Sequence, residues 1–580
     1  MNISFFGVIK VNANTRNKYL KIFLGVLLGF LFLQLFMSFI PVYSADNDND
    51  GIDDTTELNL LKKYSPILYF RSTENFYPVK IEYHVQNSKL YNRSGSSVTL
   101  IDANPDPTTL NTYQKDSYFL NNTNGGLEGI KSHYKSSLSS LGYTIYGRVY
   151  NETYSGVNYT IVQYWFFYAY NDADFNQHEG DWEMIQIVLD ASMNPIYAAY
   201  SQHNGGERAS WSAVWKTDTH PHVYVARGSH ANYFRPFQGN VGLEMDDVGQ
   251  DGLVLEPSDY SLIMLGESGT GNHNTTQNWL DYGGRWGTWD NPQDASVGFA
   301  GPTGPCYKYE KWYIPHTWAL ENTTEVGEAW FLLNWLLANF GWLILIVGSI
   351  LVIYKTYKVI KLAKTDGIQL PKIMKTRGAI GVIGGITALI CSYIAAFMPY
   401  YYITANINTS VFSTGGDATI ILFDGIHGIQ VNFLINNQGL TSYFNFGLSI
   451  GFIILLTATL SVLTLLGAKN SRKLGNGYIK RGIIFIVIFI ILIVIIAQLG
   501  SMITYFATLD GSSLPAEIQA IINIYSSNPL FGSASTTVGS FGTVALVWSI
   551  ATGVWLLLAA AFIRIFSGII LRTVPEEPKE

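Results

Sequence analysis

Five long apolar stretches in the C-terminal half of this 580-residue chain constrain its fold more than any other feature. Each is long enough to cross a bilayer as a helix. They occupy residues 330–354, 378–402, 444–466, 482–506 and 543–563. The segments between them alternate in charge. Residues 355–377 contain seven basic side chains and one acidic, and 469–481 contain five basic and no acidic. Residues 403–443 and 507–542 contain no Lys or Arg. Positive loops stay on the cytoplasmic side. The pattern predicts a transmembrane region over 330–572, with both basic loops and the tail 573–580 inside and the two loops lacking Lys and Arg outside.

The N-terminal end agrees. Lys10, Arg16, Lys18 and Lys21 precede the apolar run Ile22–Ile40, and Pro41-Val42-Tyr43-Ser44-Ala45 offers small residues for cleavage. Residues 1–45 therefore read as a signal peptide or as an uncleaved membrane anchor, and either exports the domain downstream of it. Residues 46–329 hold 35 acidic against 17 basic side chains, whereas the rest of the chain holds 8 against 19. So acidic an exported part excludes nucleic acid as a partner and suits metal ions and neutral or cationic ligands. Two cysteines, Cys306 and Cys391, build no disulfide framework. Sequons at Asn92, Asn121, Asn151, Asn158, Asn274, Asn322 and Asn408 all fall in segments placed outside, which makes the chain a candidate glycoprotein.

Between residues 60 and 320, short Val/Ile/Tyr/Phe-rich runs such as Ile161–Tyr170, Met184–Leu189 and Val223–Ala226 alternate with Gly/Asn/Ser/Asp turns. This spacing predicts a mainly β, sandwich-like exported domain over 60–329, followed by the all-α transmembrane bundle. The linker 46–59 matches the template D-x-D-x-D-G-x₅-E through Asp46, Asp48, Asp50, Gly51 and Glu57, with Asp54 beside them. Alternating oxygen ligands and a closing Glu57 predict a calcium loop.

The densest chemistry lies in Asn171–Glu183, where His178, Asp181 and Glu183 are spaced H-x-x-D-x-E. If a strand begins near Asp181, Asp181 and Glu183 share a face, and His178 reaches the same point from a preceding turn. Asp172 and Asp174 lie upstream within reach. One imidazole with two or three carboxylates predicts a divalent metal, Ca²⁺ or Mg²⁺ first, with Zn²⁺ or Mn²⁺ as alternatives. The competing reading is a strand-end charge cluster satisfied by its neighbours. His203, His220, His222 and His230 fall in the same window, and each alone is more often a structural histidine than a ligand.

These motifs together resemble the vacuolar protein sorting 62 family: Tyr64–Phe70, His178–Glu183, Ser201–Gly206, His220–Phe234, Gly283–Gly287 and Gly301–Pro305. A second, narrower resemblance is to the necrosis- and ethylene-inducing-like proteins, whose heptapeptide G-H-R-H-D-W-E aligns with Gln177–Glu183. That resemblance implies a β-sandwich with a divalent cation near a membrane that recognises sphingolipid sugar headgroups. It places His178, Asp181 and Glu183, with Asp172, at metal positions. Glu179-Gly180 departs from the heptapeptide's Arg-His pair, so the surroundings of such an ion differ.

The sequence thus predicts a membrane-anchored extracytoplasmic domain that binds surface glycans or lipid headgroups through a divalent-metal site. In an organism with internal membranes the same topology makes that domain lumenal. A rival expectation is a metal-dependent hydrolase of phosphodiesters or glycolipids, with Glu183, His203, His220 or His230 as base. A third is a sensor or transport-associated membrane protein.

Overall fold

The computed structural model describes residues 46, 50–95, 97–173, 177–203, 205–239, 246–266, 275–288, 301–375, 377–409, 414, 416–432, 441–444, 446–507, 516–538 and 542–575. Residues 1–45, expected to be a signal peptide or membrane anchor, lie outside these, as do Asp48, Asp174 and Asn274.

Helix α1 (Asp54–Lys63) is nucleated by its N-cap, Asp53, whose carboxylate accepts from the amides of Thr55 and Thr56. Strand β1 (Ile67–Tyr69) comes next, then helix α2 (Ile81–Gln86) and a small antiparallel sheet of β2 (Ser88–Ser94), β3 (Ser97–Asp102) and β4 (Tyr118–Asn122). After helix α3 (Gly126–Leu141) comes a meander of five strands: β5 (Tyr143–Tyr154), β6 (Val157–Asn171), β7 (His178–Leu189), β8 (Pro195–Gln202) and β9 (Gly205–Ser210). Strands β10 (Lys216–Thr217), β11 (His220–Val225), β12 (Asn232–Tyr233), β13 (Val254–Leu255) and β14 (Tyr260–Met264) complete the middle of the chain. Helices α4 (Tyr309–Tyr313) and α5 (Pro315–Glu321) and strand β15 (Thr324–Val326) close this β-rich domain.

The strand order β14-β5-β6-β7-β8-β9-β15 makes one sheet of seven, and β10-β11-β1-β13, with β12 on β11, makes another of five. All of β7 is buried, so each face of the strand packs against something. Tyr164, Phe166, Ile185 and Ile187 meet Leu68, Phe70, Val223 and Val225 of the five-stranded sheet in one core. The alternate residues Trp165, Phe167, Trp182 and Met184 meet Trp279, Trp286, Trp312 and Trp318 in a second core on the other side.

The membrane-type helix α6 (Glu328–Thr365) leaves directly from β15, and its Phe331 belongs to the domain core. Arg235 stacks on Phe331 at 3.8 Å. Beyond lie helix α7 (Leu370–Met374), helix α8 (Gly378–Phe397), strands β16 (Pro399–Thr409), β17 (Ala418–Asp424), β18 (Gly428–Val431) and β19 (Thr441–Phe444), and helices α9 (Phe446–Leu466), α10 (Ser471–Ala507) and α11 (Ala516–Ser527). Strands β20 (Phe531–Val538) and β21 (Gly542–Ile550) and helix α12 (Thr552–Thr573) end the described chain. Four of these helices are long and apolar enough to cross a membrane, over Ala338–Thr365, Gly378–Phe397, Ser471–Ser501 and Thr552–Thr573, with a shorter apolar helix at Ile450–Leu466.

Two of the expected spans need new boundaries. Residues 399–402 and 543–550 belong to strands, and β16 to β21 form a six-stranded sheet of order β19-β18-β17-β16-β21-β20. Helix α8 stops at Pro399 because the residue before a proline avoids the helical region, and Met398 is extended at φ −92° and ψ 151°. The all-α expectation for the C-terminal region is corrected accordingly: a β-sheet of loop residues packs in one core with the helices. A second consequence concerns Arg564, which the sequence places at the end of a span. It lies well inside α12 and is fully buried.

Candidate functional site

The site forms where the central strand β7 begins. Asp181 and Glu183 are both 5% exposed. They point from one face of β7, opposite Tyr168 and Phe166 of β6. His178 is an odd number of residues from Asp181, so a regular strand would send it to the other face. Gly180 reverses the alternation with φ +63°, a left-handed conformation that glycine adopts without strain. A Cβ there would stand 2.3 Å from the carbonyl oxygen of Trp286. The reversal sends Glu179 the opposite way, where its carboxylate accepts from the Asn122 amide at 2.9 Å and burial pushes it up to about 7. His178 comes to the Asp181 side. Its Nδ1–H donates to the Gly180 carbonyl at 2.7 Å, and burial holds the ring neutral with a lone pair on Nε2.

His230, in the turn after β11 with φ 56°, donates from Nδ1 to Asp181 at 2.8 Å and stacks flat on Tyr168 at 3.7 Å. Its Nε2 faces Glu74 at 3.8 Å. Two carboxylates on one imidazole lift it to about 9 despite its burial. Glu74 is held by the amides of Asn75, Phe76 and Gly228. Asp172 accepts from Asn75 and is paired with Arg227 at 3.2 Å, while its Oδ1 is buried without a hydrogen-bond partner among the described residues. Glu183 accepts from the Ser201 hydroxyl. Burial raises this carboxyl, and the opposing pull comes first from Lys311, then from Lys308.

His203 stands at the open side of the cluster, its side chain 49% exposed. Its Nε2–H donates at 3.0 Å to Asp246, which also accepts from Ser229 and Tyr233. The Asp246 charge drives His203 up to about 9. The structure therefore gathers His178, Asp181, Glu183, Asp172, His203 and His230 into one network. It does not bring His220, which bonds to Ser65 at 2.7 Å, or His222, which bonds to Thr217 at 2.9 Å. Those two bond to residues just before β1 and in β10, so the strand spacing that linked them does not lead to the site.

Sequence reasoning missed Glu74, Ser201, Asp246, Lys308 and Lys311. Ser201 alone had a local signal, since it opens the turn that carries His203. The others arrive from segments far apart in the chain.

Among the described residues, no three His, Cys, Asp or Glu side chains converge on a point where an ion could sit. The donor types suit a divalent cation; in this structure Asp181 accepts from His230 and Glu183 from Ser201, and Lys308 and Lys311 supply positive charge. In the linker, Asp48 lies outside the described residues. Asp46 and Asp50 accept from the backbone amides of Gly51 and Ile52, and Asp54 and Glu57 are buried in the first turn of α1. The helix capped by Asp53 begins within the expected calcium loop.

Residues 53–291 match the model of the family described as vacuolar protein sorting-associated protein 62. This part of the chain is similar to that sorting-associated domain. It contains the whole Asp181–Glu183 cluster except the two lysines, which come after it in α4 and just before that helix. A Saccharomyces cerevisiae protein named for vacuolar protein sorting, TDA6, is 24% identical, over 45% of this chain and 70% of that protein. Among solved structures, the chain is similar to NLPPya in complex with glucosamine, with 14% identity and a TM-score of 0.20 over 39% of this chain and 80% of that one. NLPPya in complex with mannosamine gives 17% and 0.22 over 42% and 85%. Necrosis and Ethylene inducing Protein 2, from the agent of cocoa's witches' broom disease, gives 15% and 0.19 over 35% and 72%.

Proposed function

We propose that this chain is a multi-pass membrane protein whose sandwich-like 46–329 part faces away from the cytoplasm and binds hydroxyl- or phosphate-bearing surface ligands, glycans or lipid headgroups. The observation that carries the binding reading is the cluster itself. Carboxylates of Asp181 and Glu183 lie among the cationic groups of His230, Lys308, Lys311 and His203, and the half-exposed His203 opens the cluster to solvent. Such a cluster accepts from ligand hydroxyls and donates to ligand phosphates within one site.

Two features of the bundle support the sidedness. Strand β16 pairs with β21 along Tyr401–Thr409, which joins the two outer loops lacking Lys and Arg in one sheet. At the other end Lys469 lies 3.9 Å from Asp366, and Ile373 packs with Leu474, which joins the two basic loops. Helix α6 carries exposed Trp330, Trp335 and Trp342 at its first end and Tyr354 and Tyr357 among lysines at its other, the two belts of a spanning helix. Because α6 starts inside the domain core, the ligand site is held close to the membrane surface.

The hydrolase reading requires an unprotonated base. His203 and His230 both hold protons well above neutrality, which favours binding over proton abstraction. A cation-bound form is the second reading, favoured by the buried, unpartnered Oδ1 of Asp172. Binding of detergent-purified protein to glycan arrays and headgroup-doped liposomes tests the proposal. Binding lost in Asp181→Asn/Glu183→Gln is expected, and binding unchanged in that variant overturns it. Calorimetric titration with Ca²⁺, Mg²⁺, Zn²⁺ and Mn²⁺ decides the second reading by the presence or absence of saturable heat.

A further inference from the structure

Arg564 of α12 is 0% exposed, and its Nε, Nη1 and Nη2 all lack hydrogen-bond partners among the described residues. Its guanidinium lies 4.3 Å from the ring of Phe485 in α10. Helices α8, α9, α10 and α12 contain no Asp or Glu anywhere along their length, so these helices hold no counter-charge of their own. A buried unpaired guanidinium is among the most costly groups a membrane bundle can hold, and such residues mark ligand or ion sites.

A second arginine stands at matching depth. Arg564 precedes the end of α12 at Thr573 by nine residues, and Arg481 comes ten residues after the start of α10 at Ser471. At 1.5 Å per residue both lie ~14–15 Å in from the end that carries the basic loops. Arg481 is satisfied by the carbonyls of Gly477 and Leu460 and by the Thr464 hydroxyl. Arg564 has no such acceptors among the described residues. The glycines around it bring α8, α10 and α12 together: a Cβ on Gly385 would meet the Tyr478 ring at 2.0 Å, and one on Gly482 would meet Ile565 at 2.6 Å. Such close packing fixes the position of the charge instead of letting the side chain reach water.

We infer that Arg564, with Arg481 beside it, forms an oxyanion site inside the membrane bundle, occupied by a phosphate group. The planar fork of a guanidinium matches phosphate oxygens two at a time, and a second cation at the same depth favours a group of more than one negative charge. The phosphate belongs either to a soluble anion or to an anionic lipid headgroup drawn in from the basic-loop side. The site is independent of the ligand cluster in the β-rich domain.

The test uses full-length protein in phosphatidylcholine nanodiscs, with thermal unfolding as the readout. One arm adds inorganic phosphate, and the other includes phosphatidic acid without free phosphate. A rise of about 5–10 °C at roughly 100-fold over the dissociation constant is expected in at least one arm. Phosphate alone being sufficient identifies a soluble anion; phosphatidic acid alone being sufficient identifies a headgroup. Arg564→Gln should abolish the rise yet unfold no earlier than the native chain without added anion, because it removes an uncompensated charge. Arg564→Lys should keep part of the rise. No rise in either arm, a rise that survives Arg564→Gln, or early unfolding of that variant in the absence of anion overturns the inference.

Discussion

At the scale of single residues, the site is governed by charges that hold one another. His203 and Asp246 form the pair nearest solvent, and their coupling has a definite pH signature. The folded state raises His203 from an ordinary 6.5 to about 9. The pair therefore stabilises the fold fully below pH 6.5, and that stabilisation is lost as pH rises through about 9. Solvent around the half-exposed imidazole screens the pair to about 1 kcal/mol. Melting temperatures of the native chain should fall between about pH 6.5 and 9, whereas Asp246→Asn should start lower and fall less steeply, keeping only the part that His230 contributes. Equal slopes in the two proteins would remove the pair from the account. Gly180 makes a sharper prediction. Left-handed backbone costs a residue with a Cβ about 1–2 kcal/mol, and the contact with Trp286 adds to it. Gly180→Ala should destabilise the domain by more than about 2 kcal/mol in denaturant unfolding and release His178 from the cluster. The placing of Asp181 beside Glu183 was legible in their two-residue spacing. His178 was legible only as a neighbour in sequence, since its direction depends on one backbone angle. Glu74, Asp246 and Lys311 were not legible, because nothing local in their own segments distinguishes them.

Among the elements, the strands of the β-rich domain were readable where apolar and polar residues alternate, and also over Met184–Leu189 of β7, an apolar run broken only by Gln186. The C-terminal region shows why hydropathy fails at element boundaries. A window average counts apolar residues without regard to their period, so Tyr400–Ile403 and Val544–Ile550 merge with the helices next to them. Their β-branched and aromatic composition favours strands, and Pro399 supplies the break. The pairing of β16 with β21 could not be read from sequence, since it joins segments more than a hundred residues apart. The junction of domain and membrane is a matter of elements too. Phe331, 2% exposed, is at once the start of α6 and part of the first core. Phe331→Ala should cost about 3–5 kcal/mol in domain stability. It should also open the β15–α6 junction to limited proteolysis, while cleavage in the basic loop 366–377 stays unchanged. If cleavage near residue 327 does not increase, the domain is held by contacts other than this one.

For the whole molecule, the decisive feature is that the bundle has two chemically distinct ends. One end gathers the sheet β16–β21, with no Lys or Arg in the loops that build it, and the other gathers both basic loops. A chain with this asymmetry inserts one way, because each basic loop opposes its own transfer across the membrane. On the proposed topology the β-rich domain shares a side with the sheet, since α6 runs from β15 to the basic loop in a single helix. The exposed Asn151, Asn158, Asn322 and Asn408 fall on that side and Lys469 on the other. Only Cys306 and Cys391 compete for thiol reagents, and the first is buried. In a chain with Cys391→Ala, a cysteine introduced by Asn408→Cys should react with an impermeant maleimide on intact cells or right-side-out vesicles. One introduced by Lys469→Cys should react only after permeabilisation. Glycosylation in a eukaryotic host should obey the same division, with Asn408 modified when its sequon is intact. Labelling at Lys469→Cys without permeabilisation would turn the molecule over, place the Asp181–Glu183 cluster in the cytoplasm and remove surface glycans from the ligands it can meet.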